Sequence, residues 1–276
     1  YDKFHGRLIF PIRNQHKAVV AFGGRTMGQE EPKYLNSQTT PIYNKSNILY
    51  ALDLAAESIR ATRQIVVMEG YMDVLTAHSV GITNAVASLG TAFTTEHVRL
   101  LNRYRPEAPE KLQVLLSFDG DAAGQKAARM SLDKLAEAEA LEARVLVFPD
   151  NLDPDDFLHK YGLPGWNKLL QKRSYPRLDY LLLRAMEKRS CDTAADKGAI
   201  VAELIPAIKK TRSHAERDSF IRELARRLRI SEEAILADLG MHQASARQAG
   251  HSSQPQTAAP GAYRQNVHRP GRAGHR

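Results

Sequence analysis

The clearest pattern in the chain is a short apolar run that ends in acidic residues. Residues 65–68 are Ile-Val-Val-Met, and they are followed at once by Glu69, by Gly70 and, one helical turn later, by Asp73. A continuous apolar run rich in β-branched side chains indicates a strand that is buried on both faces. Glu69 therefore lies at the carboxyl end of a predicted strand, which is where open parallel sheets bind their ligands.

Two further apolar runs, at 114–118 and 145–148, repeat this pattern. The acids that follow them are Asp119, Asp121, Asp153, Asp155 and Asp156. Three predicted strands thus bring carboxylates to one edge of a sheet. Crowded carboxylates repel one another unless a cation lies among them, and oxygen ligands without His or Cys nearby favour magnesium or manganese over zinc.

Between residues 63 and 162 predicted strands and helices alternate. The strands are expected at 65–68, 84–87, 114–118 and 144–148, and the helices at 71–79, 94–105, 122–140 and, as a short helix, after Pro154. Such alternation predicts a mainly parallel sheet with right-handed crossovers. We therefore expect an α/β fold in which a mainly parallel sheet is flanked by helices.

The segments on either side of this region have different patterns. Residues 7–25 predict a β-hairpin in which Pro11 favours an edge strand, followed by a loop at 32–37 and a helix at 49–60. The spacing of apolar residues predicts further helices at 177–188, 196–210 and 215–228. From residue 243 onward Gly, Pro, Ser, Gln, His and Arg dominate, which is typical of a flexible basic tail or linker.

The opening segment combines cations with aromatic residues. Arg25, Lys33 and Lys45 are interleaved with Tyr34 and Tyr43. Cations contact phosphates and aromatic rings stack on bases, so this pattern fits a surface for single-stranded nucleic acid or a nucleotide. The solvated face of a hairpin gives a similar pattern, and the sequence alone leaves both interpretations open.

Composition narrows the class of protein. The chain has 276 residues, of which 43% are hydrophobic and 25% charged, as in ordinary globular proteins. It shows no run of about eighteen apolar residues and no basic and apolar leader, so we expect a cytoplasmic protein without membrane contact. A net charge of +8 favours polyanionic partners. Cys191 is the only cysteine, which excludes an internal disulfide and a cysteine-based zinc site within the chain.

Taken together, the acidic motifs resemble the TOPRIM domain that primases, topoisomerases and some nucleases share. They are Glu69-Gly70-Tyr71-Met72-Asp73, Asp119-Gly120-Asp121 and Asp153-Pro154-Asp155. The first motif is similar in sequence to the corresponding motif of bacterial DNA primases, and so are residues 10–13, 23–25, 32–37, 87–91 and 216–218. The resemblance spans roughly residues 4–239.

This resemblance implies a primase, a DNA-directed RNA polymerase that makes short RNA primers for replication by metal-dependent nucleotidyl transfer. It implies Glu69, Asp119 and Asp121 as catalytic, metal-binding residues and Asp73, Asp153 and Asp155 as further metal positions. It also implies Arg25, Lys33, Tyr34 and Lys45 as the residues that hold template or triphosphate. The implied cofactor is Mg²⁺ or Mn²⁺, and zinc is expected only in a cysteine-rich module that this chain lacks.

The resemblance also implies partners and a division of the chain. The expected partners are a single-stranded DNA template, nucleoside triphosphates, the RNA primer and, through a region not seen here, a replicative helicase. The expected parts are 1–62 as a remnant of the basic N-terminal lobe of the polymerase core, 63–163 as the TOPRIM catalytic domain, 164–242 as a helical subdomain and 243–276 as the tail. We interpret the sequence as a fragment, because its first residues look like the middle of a domain.

Three alternatives stay open. The chain could be another TOPRIM enzyme that cleaves DNA strands, although a topoisomerase would need a nucleophilic tyrosine other than the motif residue Tyr71. It could be a truncated, non-catalytic module that binds single-stranded DNA and metal. Asp153, which precedes Pro154, could serve only as a helix N-cap.

Overall fold

The structure confirms the predicted α/β architecture. A computed structural model describes residues 2–90 and 93–240, and the predicted tail at 243–276 lies outside the described residues. The strands are β1 (Arg7–Arg13), β2 (Val19–Thr26), β3 (Tyr34–Asn36), β4 (Gln64–Met68), β5 (Ala85–Ala87), β6 (Leu112–Leu116), β7 (Leu141–Leu146) and β8 (Ser174–Pro176). The α-helices are α1 (Leu52–Thr62), α2 (Tyr71–Ser79), α3 (Thr95–Leu101), α4 (Ala122–Leu135), α5 (Pro154–Arg173), α6 (Arg177–Glu187), α7 (Ala194–Lys210), α8 (His214–Leu228) and α9 (Glu232–Asp238).

The central sheet has the strand order β5-β4-β6-β7-β8. Its first four strands are parallel, and β8 pairs with β7 in the antiparallel direction at the edge. Residues 65–68 of β4 have no exposed surface, which explains their uninterrupted apolar sequence. Val67 pairs with Leu116, so β4 and β6 end side by side and the acids that follow them emerge at the same edge.

A smaller antiparallel sheet, β1-β2-β3, is joined to the central sheet through Tyr71. The Tyr71 ring stacks on Phe10 with 4.6 Å between ring centroids and meets the edge of Tyr50 at 4.8 Å. Its hydroxyl donates a hydrogen bond of 2.7 Å to Oδ1 of Asn36 on β3. A Cβ atom at Gly23 would lie 2.1 Å from this hydroxyl, so the close approach of β2 to α2 requires glycine there.

Several predicted boundaries were wrong, for reasons that local sequence does not contain. The predicted loop at 32–37 contains β3, because Tyr34 pairs with Arg25 of β2. The first helix begins at Leu52, since Ala51 has a left-handed backbone with φ of 62°. The helix predicted to reach residue 140 ends at Leu135, and that predicted at 94–105 is α-helical only to Leu101.

The helix after Pro154 is much longer than predicted. It continues to Arg173, with a break at Gly162, whose φ of 54° and ψ of −162° are not helical. β8 follows it directly and was not predicted. Among the described residues, no helix combines the length and the apolar character that a membrane span requires.

Glu203 links the helical part to the sheet region. Its carboxylate accepts hydrogen bonds from Arg129 of α4 at 2.9 Å and from Arg189 at 2.7 Å, and Lys188 Nζ lies 3.4 Å away. Burial alone would raise the pKa of Glu203, but these cations outweigh it and lower the pKa to about 2. Because the pKa is lower in the folded chain than the ordinary value of 4.5, the stabilisation is fully present above pH 4.5 and is lost as the pH falls towards 2.

We therefore expect Glu203→Gln to lower the free energy of unfolding by about 1–2 kcal/mol at neutral pH. In this variant the free energy of unfolding should also fall less steeply as the pH is lowered. Denaturant unfolding at a series of pH values measures both effects. The control is Glu139→Gln, which removes an exposed ion pair with Arg212 and should cost less than about 0.5 kcal/mol. Equal losses in the two variants would contradict the assignment of a linking role to Glu203.

Candidate active site

A cavity of about 310 Å³ lies at the carboxyl edge of β4 and β6. Eight of the ten residues that the sequence analysis proposed for the site line it: Arg25, Lys33, Tyr34, Glu69, Asp73, Asp119, Asp153 and Asp155. The acids come from the central sheet and the starts of α2 and α5, and the cations come from the smaller sheet. The cavity thus has an acidic wall and a basic wall, contributed by separate parts of the chain.

Glu69 and Asp119 form the centre of the acidic wall. The backbone N–H of Asp119 donates a hydrogen bond of 3.2 Å to Oε1 of Glu69, which links the ends of the two strands. Gly124 lies in the first turn of α4, and a Cβ atom there would lie 2.2 Å from the Asp119 carbonyl oxygen. A Cβ atom at Gly120 would lie 2.8 Å from Cα of Asn151. The glycines of this motif therefore allow the acidic loops to pack closely.

Burial and mutual repulsion raise the pKa values of these acids. Burial, followed by the charge of Glu69 and the neighbouring aspartates, raises the pKa of Asp119 to about 7. Burial also raises the pKa of Glu69. Asp73 is only 8% exposed, and burial raises its pKa to about 6 although the Gly70 N–H donates a hydrogen bond of 2.9 Å to it. A cation among these carboxylates would relieve both the repulsion and the desolvation.

The remaining acids are held by local donors. Asp153 is the N-cap of α5 and accepts a hydrogen bond of 2.7 Å from the Asp156 N–H, so the capping role is confirmed while Asp153 also lines the cavity. Asp155 accepts a hydrogen bond of 2.5 Å from the Thr76 hydroxyl and lies 3.3 Å from Nε2 of His159.

Asp121 does not line the cavity. It is exposed and caps α4 by accepting a hydrogen bond of 2.8 Å from the Gly124 N–H. Its charge nevertheless raises the pKa of both Glu69 and Asp119, which places it beside the acidic wall. The predicted metal-binding role of Asp121 thus falls on a side chain that serves as the N-cap of α4.

The donor set fits a hard divalent cation. The described residues that line the cavity include five carboxylates and neither His nor Cys, and such oxygen ligands favour magnesium or manganese. As the side chains are placed, however, no three His, Cys, Asp or Glu groups of residues 2–90 and 93–240 are close enough to hold one metal ion. The carboxylates of Glu69, Asp73, Asp153 and Asp155 are each turned towards a local N–H or hydroxyl donor instead. Binding of a metal ion therefore requires some of these side chains to rotate away from their present donors.

The basic wall consists of Arg25, Lys33 and Tyr34. The Arg25 guanidinium carbon lies 5.9 Å from the centre of the Tyr34 ring, and Lys33 Nζ lies 6.0 Å from it. The Tyr34 ring packs in turn against Tyr71. The structure does not bring Lys45 to this cavity. Lys45 is in a separate turn, where its carbonyl oxygen lies 3.2 Å from Nε2 of His97.

Asn36 lines the cavity but was not proposed from the sequence. It accepts the hydrogen bond from Tyr71 and directs its Nδ2 towards the Leu89 carbonyl oxygen at 3.4 Å. Alternate residues of a strand point to the same side. Had residues 34–36 been predicted as a strand, the proposed site residue Tyr34 would have indicated that Asn36 also faces the site.

Three sequence profiles match the chain. A Toprim-like domain matches residues 66–158, the N-terminal domain of the DNA primase catalytic core matches 1–56, and a DnaB-helicase binding domain of primase matches 178–233. The last match covers most of α6, α7 and α8, so a domain named for helicase binding matches residues within this chain, whereas the sequence analysis expected the helicase contact in a region not seen here.

Curated relatives include two DNA primases. That of Halalkalibacterium halodurans is 38% identical over 235 residues, which cover 85% of this chain and 38% of the relative. That of Synechococcus elongatus is 38% identical over 242 residues, which cover 87% of this chain and 34% of the relative. The chain thus spans little more than a third of the length of these relatives.

Solved structures agree with these matches. A DNA primase domain from Pseudomonas aeruginosa is 34% identical, with a TM-score of 0.73, and the match covers 88% of this chain and 74% of that structure. A DnaG primase catalytic domain bound to single-stranded DNA is 32% identical, with a TM-score of 0.73. The match covers 85% of this chain and 73% of that structure. Because profile, sequence and fold agree over most of its length, the chain belongs to the family of bacterial DnaG-type DNA primases.

Proposed function

We propose that this chain is the catalytic part of a DNA primase, which synthesises short RNA primers on a single-stranded DNA template by metal-dependent nucleotidyl transfer. The observation that supports this proposal is the single cavity in which carboxylates at the ends of two parallel strands face Arg25, Lys33 and Tyr34. Nucleotidyl transfer needs both groups, because the acids hold cations and the basic residues hold phosphates.

In this proposal Glu69, Asp119 and Asp121 hold one divalent cation, Mg²⁺ or Mn²⁺. Asp73, Asp153 and Asp155 hold a second cation or its water shell. Bound there, the cations would increase the nucleophilicity of the primer 3′-hydroxyl and neutralise charge on the phosphate oxygens. Rotation of the Glu69 side chain away from the Asp119 N–H would free an oxygen atom for this purpose.

The basic wall would bind the triphosphate or the template phosphates. Arg25 and Lys33 supply the charge, and the Tyr34 ring offers an apolar face for a base. Tyr71 and Asn36 hold β3 against α2 and so keep the two walls at a constant separation. A rigid separation reduces the entropy lost when the reacting groups are aligned.

The proposed partners follow from the same comparisons. A matched structure is a DnaG catalytic domain bound to single-stranded DNA, which supports a single-stranded template. The match of a DnaB-helicase binding domain to residues 178–233 supports a helicase contact on α6, α7 and α8. The triphosphates and the RNA primer follow from the proposed reaction. The boundaries expected at residues 62, 163 and 242 stay a prediction.

The first prediction concerns the acidic wall. Asp119→Asn removes a metal-binding oxygen and should lower primer synthesis on a single-stranded template roughly 100-fold or more, without a fall in melting temperature. Asp133→Asn, an exposed position on α4, is the matched control and should keep full activity. Near-normal synthesis by Asp119→Asn would contradict the assignment, and cleaved template in place of RNA would favour the strand-cleaving alternative.

The second prediction concerns pH. Folding raises the pKa of Asp73 to about 6 and of Asp119 to about 7, so protons compete with metal at these carboxyls below neutral pH. The affinity for Mn²⁺ should therefore rise as the pH increases from about 5 to about 8, as measured by titration calorimetry. The rise should be smaller in Asp119→Asn, and an affinity independent of pH would contradict metal binding at this wall.

The third prediction concerns the basic wall. Lys33→Ala should weaken the binding of a nucleoside triphosphate and reduce the salt dependence of single-stranded DNA binding by about one unit of log–log slope. Lys45→Ala is the informative comparison, since Lys45 lies outside the cavity and should leave triphosphate binding intact. Equal loss in both variants would show that the basic residues act only through their net charge.

A further inference from the structure

Beyond its first turn, helix α5 has an unusual distribution of charge. From Phe157 to Arg173 the sequence contains no acidic residue, whereas it contains four strong cations, Lys160, Lys168, Lys172 and Arg173. All four are exposed, and within the described part of the chain none of them pairs with a carboxylate. Lys168, Lys172 and Arg173 therefore present positive charge to the solvent, whereas the charge of Asp150 acts on Lys160.

An apolar groove of about 220 Å³ lies along the same segment. Its surface is almost entirely apolar and is formed by Pro149, Phe157, Tyr161, Gly165 and Leu169, and the cations Lys168, Lys172 and Arg173 border it. Within the described part of the chain, no carboxylate lines the groove. The groove thus combines an apolar floor with a rim of a single charge sign.

The groove extends along α5 on both sides of the break at Gly162. Phe157, Tyr161, Gly165 and Leu169 recur at intervals of four residues, and all four line the groove. At Gly165 a Cβ atom would lie 2.3 Å from Cβ of Tyr161, so the close approach across the break leaves no room for a side chain. Tyr161, which lines the groove beside Gly165, is 40% exposed.

The groove is separate from the catalytic cavity. Among the described residues the two share no lining residue, although Phe157 of the groove follows Asp155 of the cavity by two positions. The groove also lies mostly between the Toprim-like match, which ends at residue 158, and the helicase-binding match, which begins at 178. The proposed catalysis and the helicase match therefore leave this surface without a role.

We propose that the groove binds an acidic peptide segment of a partner protein, with one large apolar side chain on the groove floor and carboxylates on Lys168, Lys172 and Arg173. Charge complementarity selects an acidic ligand, because the rim carries only cations. The apolar floor favours an apolar side chain over a nucleobase, whose polar edges would lose hydrogen bonds to water without replacement. Exposed aromatic and basic residues are also frequent anchors of protein interfaces.

The test is fluorescence anisotropy of the whole chain with a fluorescein-labelled peptide of four aspartates followed by one phenylalanine. We expect micromolar binding that weakens at high salt. Binding should fall at least about tenfold when the phenylalanine is replaced by alanine, and again when the aspartates are replaced by asparagines. Lys168→Glu with Lys172→Glu should abolish binding, whereas Lys209→Glu, an exposed charge reversal on α7, should leave it unchanged.

Three results would overturn this proposal: no binding of the peptide, binding that the groove variants do not change, and equal binding of the asparagine peptide. A further competitor is an oligothymidylate with the same number of charges as the peptide. Tighter, groove-dependent binding of the oligothymidylate would identify the groove as a nucleic-acid surface instead. The groove variants should retain Mn²⁺ binding and the melting temperature, which separates their effect from loss of the fold or of the catalytic cavity.

Discussion

The close pairing of β4 with β6 is the constraint on which the site depends. Parallel pairing of these strands brings Glu69 and Asp119 to one edge, where burial and mutual repulsion raise the pKa of both. Such crowding is unfavourable in the folded chain, and it is partly offset because backbone N–H groups of the same loops donate to Glu69 and Asp73. The features that make the edge suitable for a cation are therefore the ones that oppose its stability.

The smaller sheet converts this acidic edge into a two-sided cavity. Tyr71 connects the two sheets by stacking on Phe10 and by its hydrogen bond to Asn36, and Gly23 leaves the space for its hydroxyl. Arg25 and Lys33 thereby face the acids although they are distant from them in sequence. Since Tyr71 is part of the acidic motif itself, one short stretch of the chain both contributes acids and orients the opposite wall.

Helix α5 connects the acidic edge to the basic groove. Its first turn contributes Asp153 and Asp155 to the cavity, and the segment beyond Gly162 contributes the cations of the groove. Acids at the amino end and cations at the carboxyl end of a helix both suit the direction of its dipole. One continuous segment thereby contributes to two chemically different surfaces.

The sequence by itself determined the central architecture and most of the site. Buried strands such as 65–68 need uninterrupted apolar residues, and the acids that follow them must then emerge at the edge of a parallel sheet, so local pattern was sufficient for Glu69 and Asp119. Tertiary structure decided what depends on distant partners. β3 exists because Arg25 pairs with Tyr34, Lys45 lies away from the cavity because its turn packs near His97, and α5 extends beyond Gly162 to Arg173. A strand of three residues or a broken helix gains its stability from packing and pairing rather than from its own propensity, and local sequence does not specify those contacts.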